Sequence, residues 1–192
     1  MNYLLEVISQ PEFVVKFKKD NPKIDNDLDL GNFVKPELIK QPLGYIDANN
    51  GKITFDVLLT FDAITAVSGG ILVSNRMRTL IEENFPHEVQ FFETIIDFKG
   101  KKTTDFFVIN IYNKIECYDL EDSIYEKNLV DNSYEFEKIT PVKGLLEEYG
   151  IEYNIVRSVY DNKIVVSDKF KNLMTKNKIN SLEYNEEFIM EW

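Results

Sequence analysis

At 192 residues, with 44% hydrophobic content, 14 Phe and 10 Tyr, the chain can bury a sizeable core, which excludes a disordered or fibrous class. The formal net charge of −11 excludes non-specific nucleic-acid binding, which needs Lys and Arg to neutralise phosphates, and suits attraction to a basic protein partner. Cys117 is the one cysteine, so no internal disulfide can form, and no run approaches the ~20 apolar residues of a membrane-spanning helix.

Residues 1–7 have neither a basic n-region nor a long apolar h-region, so no signal peptide is read and a soluble cytoplasmic protein is expected. Residues 3–8 and 12–17 read as extended segments separated by Ser9-Gln10-Pro11. Residues 18–31 are polar and turn-rich and read as a surface loop. Within them, Asp25-Asn26-Asp27-Leu28-Asp29-Leu30-Gly31 echoes the alternating acids of an EF-hand, a template that wants Gly at its sixth position and Glu at its twelfth. Leu30 and Pro36 stand there, so a solvated acidic loop is expected rather than a metal site. Pro42-Leu43-Gly44 leads into a short strand at 45–46, and Asn50-Gly51 between two apolar runs predicts a hairpin into a strand at 53–59. Residues 61–67 suit a helix or an extended segment, and Ser68-Gly69-Gly70 breaks the chain.

The next stretch occurs twice. Ile71-Leu72-Val73-Ser74-Asn75-Arg76-Met77-Arg78-Thr79-Leu80-Ile81 recurs as Ile164-Val165-Val166-Ser167-Asp168-Lys169-Phe170-Lys171-Asn172-Leu173-Met174, without a gap. The constant offset continues from Asn84 to Asn177, Val89 to Leu182 and Phe91 to Tyr184. Each copy opens with a β-branched run of the kind that forms a buried strand. Ser74 or Ser167 then stands where a helix N-cap accepts an orphan N–H. Apolar residues follow at helical spacing: Met77, Leu80 and Ile81, or Phe170, Leu173 and Met174. Asn84 and Asn177 suit the helix end, and a second short strand follows. The unit is strand, capped helix, strand, at 71–92 and again at 164–185. Arg76 and Arg78 in its first turns, with Glu82 and Glu83 in its last, oppose the helix macrodipole. Either these charges are screened while packing fixes the helix, or they face a partner or another part of the fold.

Segments 94–98 and 106–112 read as a hairpin around Lys99-Gly100-Lys101-Lys102, and 115–118 extends it. Residues 119–123 are acidic and expected to be exposed, 134–139 form a strand, and 141–148 form a short helix ended by Gly150. Residues 155–160 lead into the second copy, and the tail from 184 to 192 is acidic. Strands mixed with a few short helices give an α+β class with mixed or antiparallel sheets. The expected division is a mostly-β region, 1–68, and a repeat-bearing α+β region, 69–192, packed together as one unit.

Chemistry is sparse. His87 is the one histidine, in a loop after Phe85-Pro86, with no motif supplying a nucleophile or an orienting partner, so no catalytic residue is assigned. One Cys and one His exclude a structural Cys/His zinc site, and Gly69-Gly70 lacks the spacing and the Lys of a P-loop. No metal and no cofactor is expected. The pairs Glu82/Glu83, Glu147/Glu148 and Glu186/Glu187 are adjacent in sequence, and on a helix adjacent side chains diverge too far to flank one bond.

Three motifs carry a family resemblance. Leu72-Val73-Ser74-Asn75-Arg76-Met77-Arg78-Thr79-Leu80-Ile81-Glu82 lies near "L-V-S-E-R-L-R-E-L-L-E", and Phe106-Phe107-Val108-Ile109-Asn110-Ile111 lies near "Y-W-L-x-N-V". Ile115-Glu116-Cys117-Tyr118-Asp119-Leu120-Glu121-Asp122-Ser123 is similar to "x-D-A-L-D-x-x-x-S", and Val166-Ser167 opens a second "V-S" helix. Over residues 70–192 the chain thus resembles the bacterial immunity protein eleven family of polymorphic toxin systems. Residues before about Thr65 are unmatched. Asn75 and Thr79 replace acids of the pattern, Phe107 replaces its Trp and Glu116 its Asp. The resemblance implies a non-enzymatic antitoxin that binds and neutralises a cognate toxin protein domain, a basic one being suited to the charge. Asp119, Glu121, Asp122, Glu147 and Glu148 are the candidate partner contacts, as acidic residues expected to be exposed. No nucleic-acid or membrane partner is expected, and the oligomeric state is left open. The alternative is a small-ligand-binding or regulatory domain with its pocket between the two repeat units.

Overall fold

The computed structural model describes residues 1–9, 13–18, 22–48 and 52–190. The chain opens with β1 (Asn2–Val7) and β2 (Val15–Phe17). Where a loop was expected stands helix α1 (Pro22–Leu30), whose Ile24 and Leu28 are buried four positions apart. The helix spreads Asp25, Asp27 and Asp29 around its axis, from buried to half-buried to exposed, so acids that alternate in sequence as in a metal loop do not converge. After a 3-10 turn (Pro36–Leu38) comes β3 (Leu43–Asp47). The strand expected at 53–59 is instead a single helical turn, α2 (Phe55–Leu58), because Thr54 caps it by accepting the Val57 N–H at 3.2 Å. The Asn50-Gly51 turn lies outside the described residues. Then follow β4 (Ala63–Thr65), β5 (Ile71–Ser74), helix α3 (Asn75–Asn84), β6 (Gln90–Phe98), β7 (Lys101–Thr103), β8 (Phe106–Asn110) and β9 (Lys114–Ile115). β10 (Ile124–Lys127) and β11 (Tyr134–Ile139) form one hairpin, β12 (Leu146–Glu148) and β13 (Ile151–Tyr153) another. The short helix expected at 141–148 is therefore a strand. Its two-residue turn uses Tyr149 and Gly150 at φ 51° and 77°, a pairing that the sequence disguises because Tyr rarely takes it. The chain closes with β14 (Ile155–Ser158), β15 (Ile164–Ser167), helix α4 (Asp168–Lys176), β16 (Leu182–Asn185) and β17 (Phe188–Ile189). The fold is α+β, with mixed and antiparallel sheets.

The repeat is larger than its sequence. β5, α3 and β6 match β15, α4 and β16, and each copy is completed by a hairpin partner before it and by one inserted strand. The first unit has the order β4-β5-β8-β6 and the second β14-β15-β1-β16, antiparallel throughout. Val73 pairs with Phe107 and Phe92 with Val108, while Val166 pairs with Tyr3 and Asn185 with Leu4. The N-terminal strand β1 thus occupies the register of β8, although β8 follows its unit in sequence and β1 precedes its own by most of the chain.

The caps are equivalent too. Ser74 Oγ accepts the Met77 N–H at 3.2 Å and Ser167 Oγ the Phe170 N–H at 3.3 Å. Arg78 stacks 4.2 Å from the Phe107 ring centre and Lys171 3.6 Å from that of Tyr3. Arg78 also pairs with Glu82, and Arg76 pairs with buried Asp62. The two cations that oppose the helix dipole therefore face other parts of the fold.

The two units share one core, in which Met77 and Ile81 of α3, with Phe85 just after it, meet Phe170 and Met174 of α4, and the rings of Phe85 and Phe170 stack at 5.8 Å. This core occupies the space between the units, where a ligand pocket was the alternative expectation. The outer face of the first unit, with Leu72, Phe106 and Val108, is covered by α1, β2 and β3. The outer face of the second, with Leu4, Val156 and Val165, is covered by residues 115–153. The first cover reaches the second unit through Gly31, at φ 64°. A Cβ there would stand 2.4 Å from the Arg157 side chain, whose Nε donates to the Ile111 carbonyl at 2.9 Å.

Candidate partner-binding surface

The expected contact residues all lie on the cover of the second unit. Asp119 is half-buried, and its Oδ1 accepts the N–H groups of Glu121 and Asp122 at 3.1 and 3.2 Å. This Asx-type turn holds the Glu121 and Asp122 side chains in solvent. Asp122 pairs with Lys143 at 2.9 Å, which lowers the carboxyl from its usual value and raises the ammonium. Both ends are exposed, so the pair adds little stability. It does tie the acidic turn to the segment that enters β12. There Glu147 is exposed opposite Glu152, and Glu148 is half-buried opposite Ile151. Three of the five residues share one turn and two share one strand, with Lys143 as the link between them.

The same cover carries uncovered apolar groups. Tyr149 is 95% exposed at the β12–β13 turn, beside exposed Leu145 and Ile151. Leu129 and Val130, at 88% and 94%, cap the β10–β11 hairpin. Holding a non-glycine residue such as Tyr149 in left-handed backbone costs roughly 1–2 kcal/mol, and the turn that carries this backbone strain presents an almost fully exposed aromatic side chain.

Beside the same hairpin lies a groove of about 510 Å³. Its apolar wall is Tyr134, Phe136, Ile139 and Phe188, part of a ring cluster in which Tyr134 packs on Tyr160 at 4.8 Å and Tyr118 on Phe136 at 5.3 Å. Its rim is Glu126, Glu135, Glu137 and Asp161, with Lys163 as the one cation in the lining. A β-bulge shapes the wall. Ile124 pairs with Lys138 and Tyr125 with Phe136, so Glu137 is extra, and the alternation shifts to bring Phe136 and Ile139 inward. Asp161 accepts the Tyr118 hydroxyl at 2.6 Å. Burial first, then this bond, raises the Tyr118 phenol far above its usual value.

Sequence reasoning missed this groove. The density of Tyr and Phe between 118 and 160 was a signal, but the bulge and the arrival of Phe188 depend on strand pairing that no local pattern carries.

Cys117 and His87 lie apart from this surface. Cys117 is fully buried, and burial, then the Asp161 charge, pushes its thiol up to about 12. His87 is exposed at φ 70°, and its carbonyl accepts the Tyr112 hydroxyl at 2.7 Å. Among the described residues no group of His, Cys, Asp and Glu is placed to hold a metal ion, and no helix is long and apolar enough to cross a membrane.

No curated protein matches the chain. The sequence model of the Immunity protein family (Imm11) matches residues 35–187. That match begins well before Gly70 and so takes in β3, α2 and β4, which the motifs alone had left out. It spans both copies of the repeated unit and the five acidic residues, and on it the chain belongs to the Immunity protein family (Imm11).

Proposed function

We propose that this immunity protein binds a cognate bacterial toxin domain and neutralises it by stoichiometric occlusion, with no chemistry of its own. Membership of the immunity family is the observation that carries the reading. The surface is consistent with it: uncovered apolar residues among carboxylates form the mixed apolar and charged patch from which protein interfaces are built. The formal charge of −11 favours a basic toxin, whose approach it would accelerate in a salt-dependent way. Asp119, Glu121, Asp122, Glu147 and Glu148 are proposed contacts on that surface.

Affinity capture of the tagged chain from its native host, read by mass spectrometry, tests the proposal. The expected result is one stoichiometric protein partner carrying a toxin domain that is harmless when co-expressed with this chain. Retention of a small molecule and no protein would overturn it in favour of a ligand-binding domain.

A further inference from the structure

We propose that the groove beside the β10–β11 hairpin is a receptor for Lys and Arg side chains presented by an extended segment of the toxin. The inference rests on the immunity reading and adds a site and a partner chemistry to it. The groove offers two things that a long cationic side chain needs at once, aromatic faces for its stem and head, and carboxylates for its charge. Among the described residues four carboxylates line it with Lys163, and the ammonium of Lys127 lies over the Tyr134 ring of its wall. The chain's own lysines already bind in this manner. The Lys163 ammonium lies 4.6 Å from the Phe188 ring centre, and that of Lys127 lies 5.1 Å from the Tyr134 ring centre.

Two features separate the site from a general acidic face. The bulge at Glu137 exposes that carboxylate beside Glu135 while turning Phe136 and Ile139 into the wall, so charge and apolar surface sit side by side. The hairpin that supplies Glu126 and Glu135 ends in Leu129 and Val130, which stand almost fully exposed and would contact the partner backbone outside the cationic subsite. Other strongly exposed acids, such as Glu37, Asp56 and Glu83, belong to the N-terminal cover and α3, away from this aromatic wall.

The test uses the full chain and a fluorescein-labelled oligolysine peptide, with oligoserine as the uncharged control, and reads anisotropy at low and physiological salt. Wild type is expected to bind oligolysine and not oligoserine. The variant Glu126→Gln/Glu135→Gln/Glu137→Gln is expected to bind about tenfold more weakly or worse, whereas the charge-matched Glu37→Gln/Asp56→Asn/Glu83→Gln changes affinity by less than about twofold. Phe188→Leu, which keeps apolar volume but removes the ring, should weaken binding while leaving the unfolding midpoint near wild type. Glu135→Gln alone gives a second reading if the triple variant unfolds. Equal weakening by the two triple variants, or no binding by wild type, overturns the groove. Failure of the immunity reading looks different, since the chain would then protect against no toxin whatever its groove binds. A toxin neutralised equally by wild type and by the groove variant would overturn the groove and leave the immunity reading standing.

Discussion

Asp62 and Asn154 show how much one side chain can organise here. The Ser74 hydroxyl donates to the Asp62 carboxylate and its N–H to the Asp62 backbone carbonyl, each at 2.8 Å, while the Ser167 hydroxyl donates to the Asn154 side-chain oxygen at 2.8 Å and its N–H to the Asn154 backbone carbonyl at 3.0 Å. The cap serines were legible from position alone. Their partners were not, because Asp62 is held by Asn180, 118 positions away, and Asn154 by Glu88, 66 positions away. Ser74→Ala and Ser167→Ala should each cost about 1 kcal/mol, measured by denaturant unfolding. Asp62→Ala should cost more, about 2–3 kcal/mol, since it also strips Arg76 and the Asn180 N–H of a buried charged acceptor. Cys117 gives a second check. A buried thiol raised to about 12 should resist alkylation in the folded protein and react at once in denaturant. Asp168 supplies the pH dependence. The Tyr3 hydroxyl, then the N-terminal ammonium, lowers its carboxyl, so its contribution is present above the unfolded value and is lost as pH falls through the folded one. Asp168→Asn should therefore lower the melting temperature at pH 7 and converge with wild type in acid.

At the scale of elements, the clasps are reciprocal. Asn180 sits between α4 and β16 and holds the cap partner of the first unit, while Glu88 sits between α3 and β6 and holds that of the second. Each unit's helix-to-strand loop thus fastens the other's helix start. A double-mutant cycle on Asp62 and Asn180 should give a coupling of about 1 kcal/mol or more, and pairing Asp62 with Glu88, which share no bond, should give nearly none. The repeated helices were readable because both the cap and the apolar spacing are local signals. Helix α1 was not, because its helical character lies in two buried residues, Ile24 and Leu28, amid polar neighbours. The β12–β13 hairpin was misread because Leu145-Leu146-Glu147-Glu148 followed by Gly150 fits a helix and its stop, and only strand pairing reverses that. The role of β1 as the counterpart of β8 needs the sheet register, since the motif that marks β8 has no copy in β1.

At the scale of the molecule, two matching units back onto one core, and their outer faces carry unrelated covers. The shared core joins the two units, and the cover of the second carries the two hairpins and the groove proposed to bind the partner. The class of fold and the family were legible in the repeat and its flanking motifs. The proposed binding surface was legible only as acidity, because a surface proposed to occlude a partner needs no fixed spacing of reactive groups. The account therefore stands or falls on neutralisation. The most direct measurement is the growth of cells expressing the captured partner's toxin domain, with and without this chain. The account predicts that growth is restored in proportion to the chain supplied, with a one-to-one complex recovered from the surviving cells. Undiminished killing at an excess of the folded chain would contradict it.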